Sequence, residues 1–322
     1  MENRACLAKI DMYTHLLTKD GLLFTAREFY PSINRVRAVP CYFSDPAGDR
    51  KSRLFKFTFK RSVDEFGDIW VNKLKPKYIS KTPNGEKAIL VPVDDIIEFL
   101  DPFDLPEEIR KELEKSKFYP ILQAVNKIGV GEKDIGVFGS YLSGMHNDNS
   151  DIDIVIRGIN NMKLLKSKMD ELRSLLQAKP QLDEVSKAAT IKKYNELYNK
   201  ENDFDKMIDC RWSTIKLDDK RVLKLMFNYK QGEKPQNLVP KHLAKEGMLS
   251  GIVVDDTGVA FMPRNFIIEN EKGQFTVLTY FYNYYFAVKS GNKVQIKGTL
   301  SKDGKSLLIH DRKNHWIKIN GS

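Results

Sequence analysis

Apolar and polar positions alternate with period two, or gather in short apolar blocks, through roughly the first third of the chain. Residues 21–29, GLLFTAREF, follow the turn-forming Thr18-Lys19-Asp20-Gly21 and predict a strand. Residues 35–43, RVRAVPCYF, predict a second, ended by a turn at Asp45-Pro46-Ala47-Gly48-Asp49. Phe55, Phe57 and Phe59 then alternate with Lys56, Thr58 and Lys60. On one strand this sets three rings on one face and the cations on the other. Such a face offers cations to phosphates, although burying the rings is the usual use of the pattern. Residues 77–93 read as a hairpin about Asn84-Gly85.

The period changes at Pro106. Glu107 and Glu108 follow it as a helix start, and Ile109, Leu113, Ile121, Leu122 and Val125 recur at helical spacing, with Pro120 dividing the run into two helices. A short apolar strand ends in Phe138-Gly139-Ser140. A second strand, DIDIVIRG, starts at Asp151. A helix stopped by Pro180, another helix, and two strands about Asp218-Asp219-Lys220 complete an α/β segment. Polar residues 231–249 with two prolines predict a linker. Five or six short strands after residue 250 predict a small barrel or sandwich. Within it, TYFYNYYF at 279–286 reads as a strand that either stacks exposed bases or turns its rings to the core. The expected class is α+β. A β-rich domain spans 1–105, a mixed-sheet α/β domain 106–230, a linker 231–249 and a β domain 250–322.

Composition narrows the function classes. The 322 residues carry a formal net charge of +10, which favours anionic partners such as nucleic acid or nucleotides. The same excess also suits an unspecialised basic surface. Cys6, Cys41 and Cys210 are too few and too scattered for a disulfide framework or a C-x-x-C metal site. No apolar run reaches the ~18–20 residues of a membrane helix, and the first residues show no basic stretch followed by an apolar one. A cytoplasmic protein without membrane association is the expectation.

The chemistry gathers at residues 138–156. Residues i and i+2 of a strand share a face, so Asp151 and Asp153 lie together while Ile152, Ile154 and Ile156 face a core. Two adjacent carboxylates repel unless a cation lies between them. A divalent ion, Mg²⁺ or Mn²⁺, held by one or two carboxylates and by substrate phosphates meets that need. Gly139 and Ser140 end the preceding strand, where free backbone N–H groups and a hydroxyl can hold a phosphate. Asp148, Asn149 and His146 in the spacer are either turn residues or further contacts to metal, ribose or phosphate. Arg211 and Lys224 are either triphosphate contacts or surface cations.

Phe138-Gly139-Ser140, ten residues, then Asp151-Ile152-Asp153-Ile154 resembles the signature of the DNA-polymerase-β-type nucleotidyltransferase superfamily over about residues 106–230. The resemblance implies a mixed sheet with packed helices, transfer of a nucleoside monophosphate from an NTP, and metal ions at the paired acids. It also implies a third acidic residue on a later strand. The strand RVLKLMFNY has Lys224 at its centre and no carboxylate. Asp209, in Ile208-Asp209-Cys210-Arg211, has the local pattern of that third position, and Asp218 or Asp219 is the other choice besides none at all. TKDGLLFTAREFYP, VVDDTGVAFMPRNFII and GNKVQIKGTL also resemble predicted archaeal nucleotidyltransferases of undefined substrate. The expected function is therefore metal-dependent nucleotidyl transfer to nucleic acid (RNA or tRNA), a protein or a small molecule. The alternative is a weakly active or inactive core that binds nucleotide or RNA.

Overall fold

The computed structural model describes residues 10–61, 68–147, 150–178, 184–217, 221–236 and 238–320. Asp148, Asn149, Pro180, Asp218 and Asp219, named above as turn, stop or acidic residues, lie outside them, as does Cys6. The fold is mixed α/β, with three sheets among the described residues. The chain divides into two compact units, Met1–Arg157 with Asp218–Leu225, and Gly158–Leu217 with Met226–Ser322.

The first unit begins with an eight-stranded sheet. Its strands are β1 (His15–Thr18), β2 (Leu22–Tyr30), β3 (Arg35–Ser44), β4 (Arg50–Lys51), β5 (Thr58–Arg61), β6 (Ile79–Lys81), β7 (Lys87–Pro92) and β8 (Ile96–Leu100). The order is β4-β5-β3-β2-β1-β8, with β7 pairing both β3 and β6. Strand β2 is buried on both faces. Leu22, Phe24 and Ala26 join one core with Leu16 and Val36, whereas Leu23 joins another with Leu17, Tyr42, Phe59 and Met145. Near-continuous apolar sequence is what a strand covered on both sides requires. Phe24 pairs with Pro40 and Leu23 with Tyr42, so Cys41 is the extra residue of a bulge. A proline inside a strand is commonly placed at such a bulge. The hairpin about Asn84-Gly85 forms, with Ile79 opposite Ile89 and Gly85 at φ +92°.

The phenylalanine strand is shorter than the alternation predicts. Pairing covers only Thr58–Arg61. Residues 52–55 leave the sheet because Ser52 takes other partners: its hydroxyl donates to the Ser143 carbonyl at 2.7 Å and accepts from the Leu54 and Phe55 amides. The rings still share one core, Phe55 and Phe57 meeting Phe59 edge-on.

Helices α1 (Asp68–Leu74), α2 (Glu107–Glu114) and α3 (Tyr119–Lys127) belong to this unit. Pro106 immediately precedes α2, and Pro120 lies in the first turn of α3, where its missing N–H costs nothing. Strand β9 (Ile135–Val137), the short helix α4 (Gly139–Leu142) and strand β10 (Ile152–Arg157) follow. Strand β10 pairs antiparallel with β9, Ile154 opposite Val137.

The second unit holds α5 (Ile159–Ser167), α6 (Met169–Leu175), α7 (Glu184–Leu197) and α8 (Phe204–Asp209). The helix expected from residue 160 is split at Lys168, which has φ −109° and ψ 21°. Strand β11 (Thr214–Lys216) belongs to this unit, whereas β12 (Val222–Asn228) begins in the first, at Val222–Leu225; the strand order is β11-β12-β10-β9.

Six strands follow: β13 (Leu243–Asp255), β14 (Arg264–Asn270), β15 (Gly273–Thr279), β16 (Lys293–Ser301), β17 (Ser306–Ile309) and β18 (Trp316–Ile319). Strand β13 starts inside the stretch read from sequence as a linker. Its first part pairs with β16 and its last part with β14. The order β13-β14-β15-β17-β16 thus closes on itself, with β15 and β17 parallel and β18 added along the first half of β16. This is a five-stranded barrel. Val253, Val277, Val294, Ile296, Leu307, Ile317 and Ile319 are all buried.

The aromatic run 279–286 is not a strand. Strand β15 ends at Thr279 and Tyr282–Tyr284 is a 3₁₀ turn. Tyr280, Tyr284, Tyr285 and Phe286 are all buried, so the segment lacks the two-faced character a strand needs. Tyr284 packs on Tyr198 and Phe204. These rings are core, which removes them as a base-stacking platform.

Candidate active site

The site in the first unit is built where β9 ends. Phe138 is extended and its amide donates to the Asp153 carbonyl at 3.1 Å, so the end of β9 is tied to β10. Gly139 then turns with φ +69° into α4. A Cβ placed on Gly139 would lie 2.5 Å from Oδ2 of Asp153. Glycine is therefore required twice over: by the left-handed backbone, and by the carboxylate against it. Ser143, buried at the end of α4, donates its hydroxyl to the Gly139 carbonyl at 3.2 Å, and the Met145 amide donates to the Ser140 carbonyl at 2.8 Å. These bonds fix the turn and leave Ser140 partly exposed beside the acids.

On β10, Ile152, Ile154 and Ile156 are fully buried, while Asp151 and Asp153 are half-buried on the other side. Burial pushes the Asp153 carboxyl above its ordinary value. Lys224 pulls it back down, Asp151 pushes it up and Arg61 pulls it down. Asp151 is already ion-paired: the Lys224 ammonium donates to its Oδ2 at 2.6 Å. Strand β12 alternates, with Leu223, Leu225 and Phe227 fully buried on one face and Val222 and Lys224 on the other. No carboxylate lies on the described part of β12.

Two further groups near Asp153 come from the eight-stranded sheet. Arg61 lies opposite Tyr42 in the β3–β5 register. Burial raises the Tyr42 phenol, Cys41 raises it further, Arg61 and Arg50 lower it, and Asp153 raises it. So Tyr42 and Arg61 share the electrostatic field of Asp153, while Arg50 acts on Tyr42. Sequence reasoning missed these groups. The Phe-Lys alternation marked the segment as basic, but only long-range pairing brings it to the acids. His146 is held by ordinary packing, stacked on Tyr141 at 3.9 Å with Nε2 3.2 Å from Glu112.

The remaining candidates lie in the second unit. Asp209 ends helix α8, where a strand was expected around it, and accepts from the Lys187 ammonium at 2.6 Å. Asp205, one turn earlier, binds the same ammonium at 2.8 Å. The spacing that resembled a strand is helical because Phe204, Met207 and Ile208 recur at i, i+3 and i+4 and are buried. The Arg211 guanidinium is directed inward, over the rings of Tyr194 and Tyr285, and donates to the Tyr194 hydroxyl at 3.2 Å and to the Asn283 carbonyl.

Among the described residues, two groups of side chains have donor types suited to a cation. In the first unit, Asp151 and Asp153 offer oxygen ligands on one side of β10, the chemistry of Mg²⁺ or Mn²⁺. In the second, Glu246, His310 and His315 bring one ligand atom each within 4.8 Å of one another. The second set does not fit a metal. Nδ1 of His315 accepts from the amides of His310 at 3.1 Å and Asp311 at 3.2 Å. Nε2 must then carry the proton, which it donates to Glu246 at 2.9 Å. No lone pair remains there for a cation. Burial raises the Glu246 carboxyl, but hydrogen bonds from His315 and Thr299 outweigh it and hold the group below its ordinary value. The cluster is a hydrogen-bond network that fastens the 310–315 loop to the barrel.

Residues 120–210 match the family model for the nucleotidyltransferase domain, of the DNA-polymerase-β-like superfamily. The match covers less than a third of the chain. It includes Gly139, Ser140, Asp151, Asp153 and Asp209 and stops before Lys224 and the barrel. A domain of this kind points to nucleotidyl transfer. No curated protein and no solved structure matches the chain. No helix among the described residues is long and apolar enough to cross a membrane.

Proposed function

We propose that the chain is a metal-dependent nucleotidyltransferase whose centre is Gly139, Ser140, Asp151 and Asp153. One observation carries the reading: the phosphate-type turn and the acidic pair are in contact, with the Asp153 carboxylate seated where a Gly139 side chain would be. Asp151 and Asp153 would hold Mg²⁺ or Mn²⁺ together with the phosphates of an NTP. When bound, such an ion polarises the α-phosphate and neutralises charge on the departing oxygen. The α4 turn, with the Gly139 and Ser140 amides and the Ser140 hydroxyl, binds the polyphosphate. Lys224 and Arg61 supply positive charge beside it. An acceptor hydroxyl oxygen bonds to the α-phosphorus, its proton goes to solvent, and the bond to the bridging oxygen breaks to release pyrophosphate. Asp209 and Arg211 are engaged inside the second unit and have no part in this reading.

A second reading is favoured by Lys224: a core that binds nucleotide without turnover. An ammonium already satisfies Asp151, and no third carboxylate lies on the described part of β12. One experiment separates the two. Wild type, Asp151→Asn and Asp153→Asn are incubated with each α-labelled NTP, Mg²⁺ or Mn²⁺, and a panel of RNA, tRNA, protein and small-molecule acceptors. Label transfer by wild type alone supports the enzyme. Mn²⁺-dependent NTP binding without transfer supports the binding core. Neither transfer nor binding overturns both.

A further inference from the structure

The barrel of the second unit carries an exposed face with no role in the reading above. Met248, Ile252 and Val254 are 57%, 46% and 40% exposed, three of the most exposed large apolar side chains among the described residues. They alternate with inward positions along β13, so they stand together on the outside. The pairing register extends this face across two more strands. Met248 lies opposite Lys297, which lies opposite Trp316. Ser250 lies opposite Gln295, which lies opposite Lys318, and Ile252 lies opposite Lys293. Inward neighbours Val294, Ile296, Ile317 and Ile319 are buried, which fixes the outward direction of the lysines and the tryptophan. The Lys318 ammonium sits 5.1 Å from the centre of the Trp316 ring. The acids on or beside this face are Glu246, two positions before Met248 and bonded to His315, Glu201, ion-paired with Lys318, and Glu269, opposite Ile252.

The chemistry of the face selects its occupant. An added peptide strand needs a free edge, but the first half of β16 lies between β13 and β18, β13 pairs with β16 and then β14, and the outer edge of β18 bonds to Asn202 and Asp203. A second copy of the same face would bring lysines against lysines across a two-fold axis. Three cations around a flat aromatic and an apolar stripe suit a chain of phosphates with exposed bases. We propose that the outer face of β13, β16 and β18 binds single-stranded nucleic acid, phosphates lying on Lys293, Lys297 and Lys318 and a base stacking on Trp316 beside Met248. This site concerns binding alone and does not depend on turnover in the first unit.

The test uses the full chain and a fluorescein-labelled 20-nucleotide single strand of mixed sequence, as RNA and as DNA, read by anisotropy. Binding by wild type should weaken roughly 20-fold between 50 and 200 mM salt if three phosphates are neutralised. The double variant Lys293→Glu/Lys297→Glu should lose at least tenfold in affinity, and Trp316→Ala about tenfold. Trp316→Phe should bind but lose the quenching of tryptophan emission. Melting temperatures of all variants, whose changes are on the surface, should match wild type. Absence of binding at 50 mM salt, or equal binding by wild type and the variants, overturns the proposal. So does light scattering showing a wild-type dimer that Met248→Asp/Ile252→Asp converts to a monomer, because the face would then be covered by a second copy.

Discussion

Gly139 joins the two chemical elements of the site at a single backbone position. Gly139→Ala would force a Cβ into the Asp153 carboxylate and strain a backbone at φ +69°. We expect a stability loss of about 1–2 kcal/mol in urea unfolding, together with at least tenfold weaker Mn²⁺-NTP binding by calorimetry. Lys224 acts in the opposite direction. It competes with any cation for Asp151, so Lys224→Met should tighten Mn²⁺ binding severalfold in the absence of nucleotide. Unchanged Mn²⁺ affinity would mean that the ion pair has no bearing on the site. His15 sets a pH dependence. It is fully buried, and burial, aided by Arg27, lowers its pKa from 6.5 to about 3. The folded state thus refuses a proton that the unfolded chain accepts below pH 6.5. Its contribution to stability is intact above pH 6.5 and is lost as pH falls toward 3. Between pH 7 and pH 5 this amounts to ~2 kcal/mol, and His15→Gln should remove that part of the slope. Residue by residue, strand parity alone places Asp151 and Asp153 on one side and isoleucines on the other. Tyr42 and Arg61 were invisible because a β3–β5 pairing some hundred residues upstream of the acids brings them there.

Elements were legible wherever one periodicity ruled alone. Strands β2, β3 and β10, the Asn84-Gly85 hairpin and the helix starts at Pro106 and Pro120 follow from local pattern. The misread elements are those in which tertiary partners overrode it. Ser52 pulls residues 52–55 out of the sheet, and Tyr280, Tyr284, Tyr285 and Phe286 are all buried. Asp209 sits in a helix because the apolar residues around it serve a helical face, a distinction that six residues cannot make by themselves. One buried pair links two elements of the first unit. Arg37 on β3 and Glu86 beside β7 form a bidentate pair at 2.6 Å, both nearly inaccessible. Removing one partner leaves a buried charge uncompensated, so Arg37→Met should cost about 3–5 kcal/mol in chemical denaturation. The double change Arg37→Met/Glu86→Leu should recover most of it. A double variant no more stable than the single would show that the pair itself contributes net stability.

Across the whole molecule, the chain passes between its units three times, at residues 157, 217 and 225. A division into consecutive segments, as composition suggests, leaves no place for such returns. Local periodicity carries no information about which distant strand will pair with β10. The consequence for truncation is direct. A fragment ending at residue 157 keeps the acidic pair but lacks β12, the neighbour of β10, and with it Lys224. Strand β10 would then present Ile152, Ile154 and Ile156 beside an open edge. Such a fragment should aggregate or show no cooperative melting, whereas a soluble fragment with a sharp transition would show that β12 is dispensable.

The returning strand also imposes a timetable on synthesis. About 65 residues separate the end of β10 from the start of β12, and both must leave the ribosome before the sheet can close. At the usual ~5–20 residues per second, the isoleucine strand waits roughly 3 to 13 s for its neighbour. During that interval a chaperone or a neighbouring nascent chain can reach it first. Slowed translation between codons 158 and 222 should therefore lower the yield of folded protein more than the same slowing placed after codon 228.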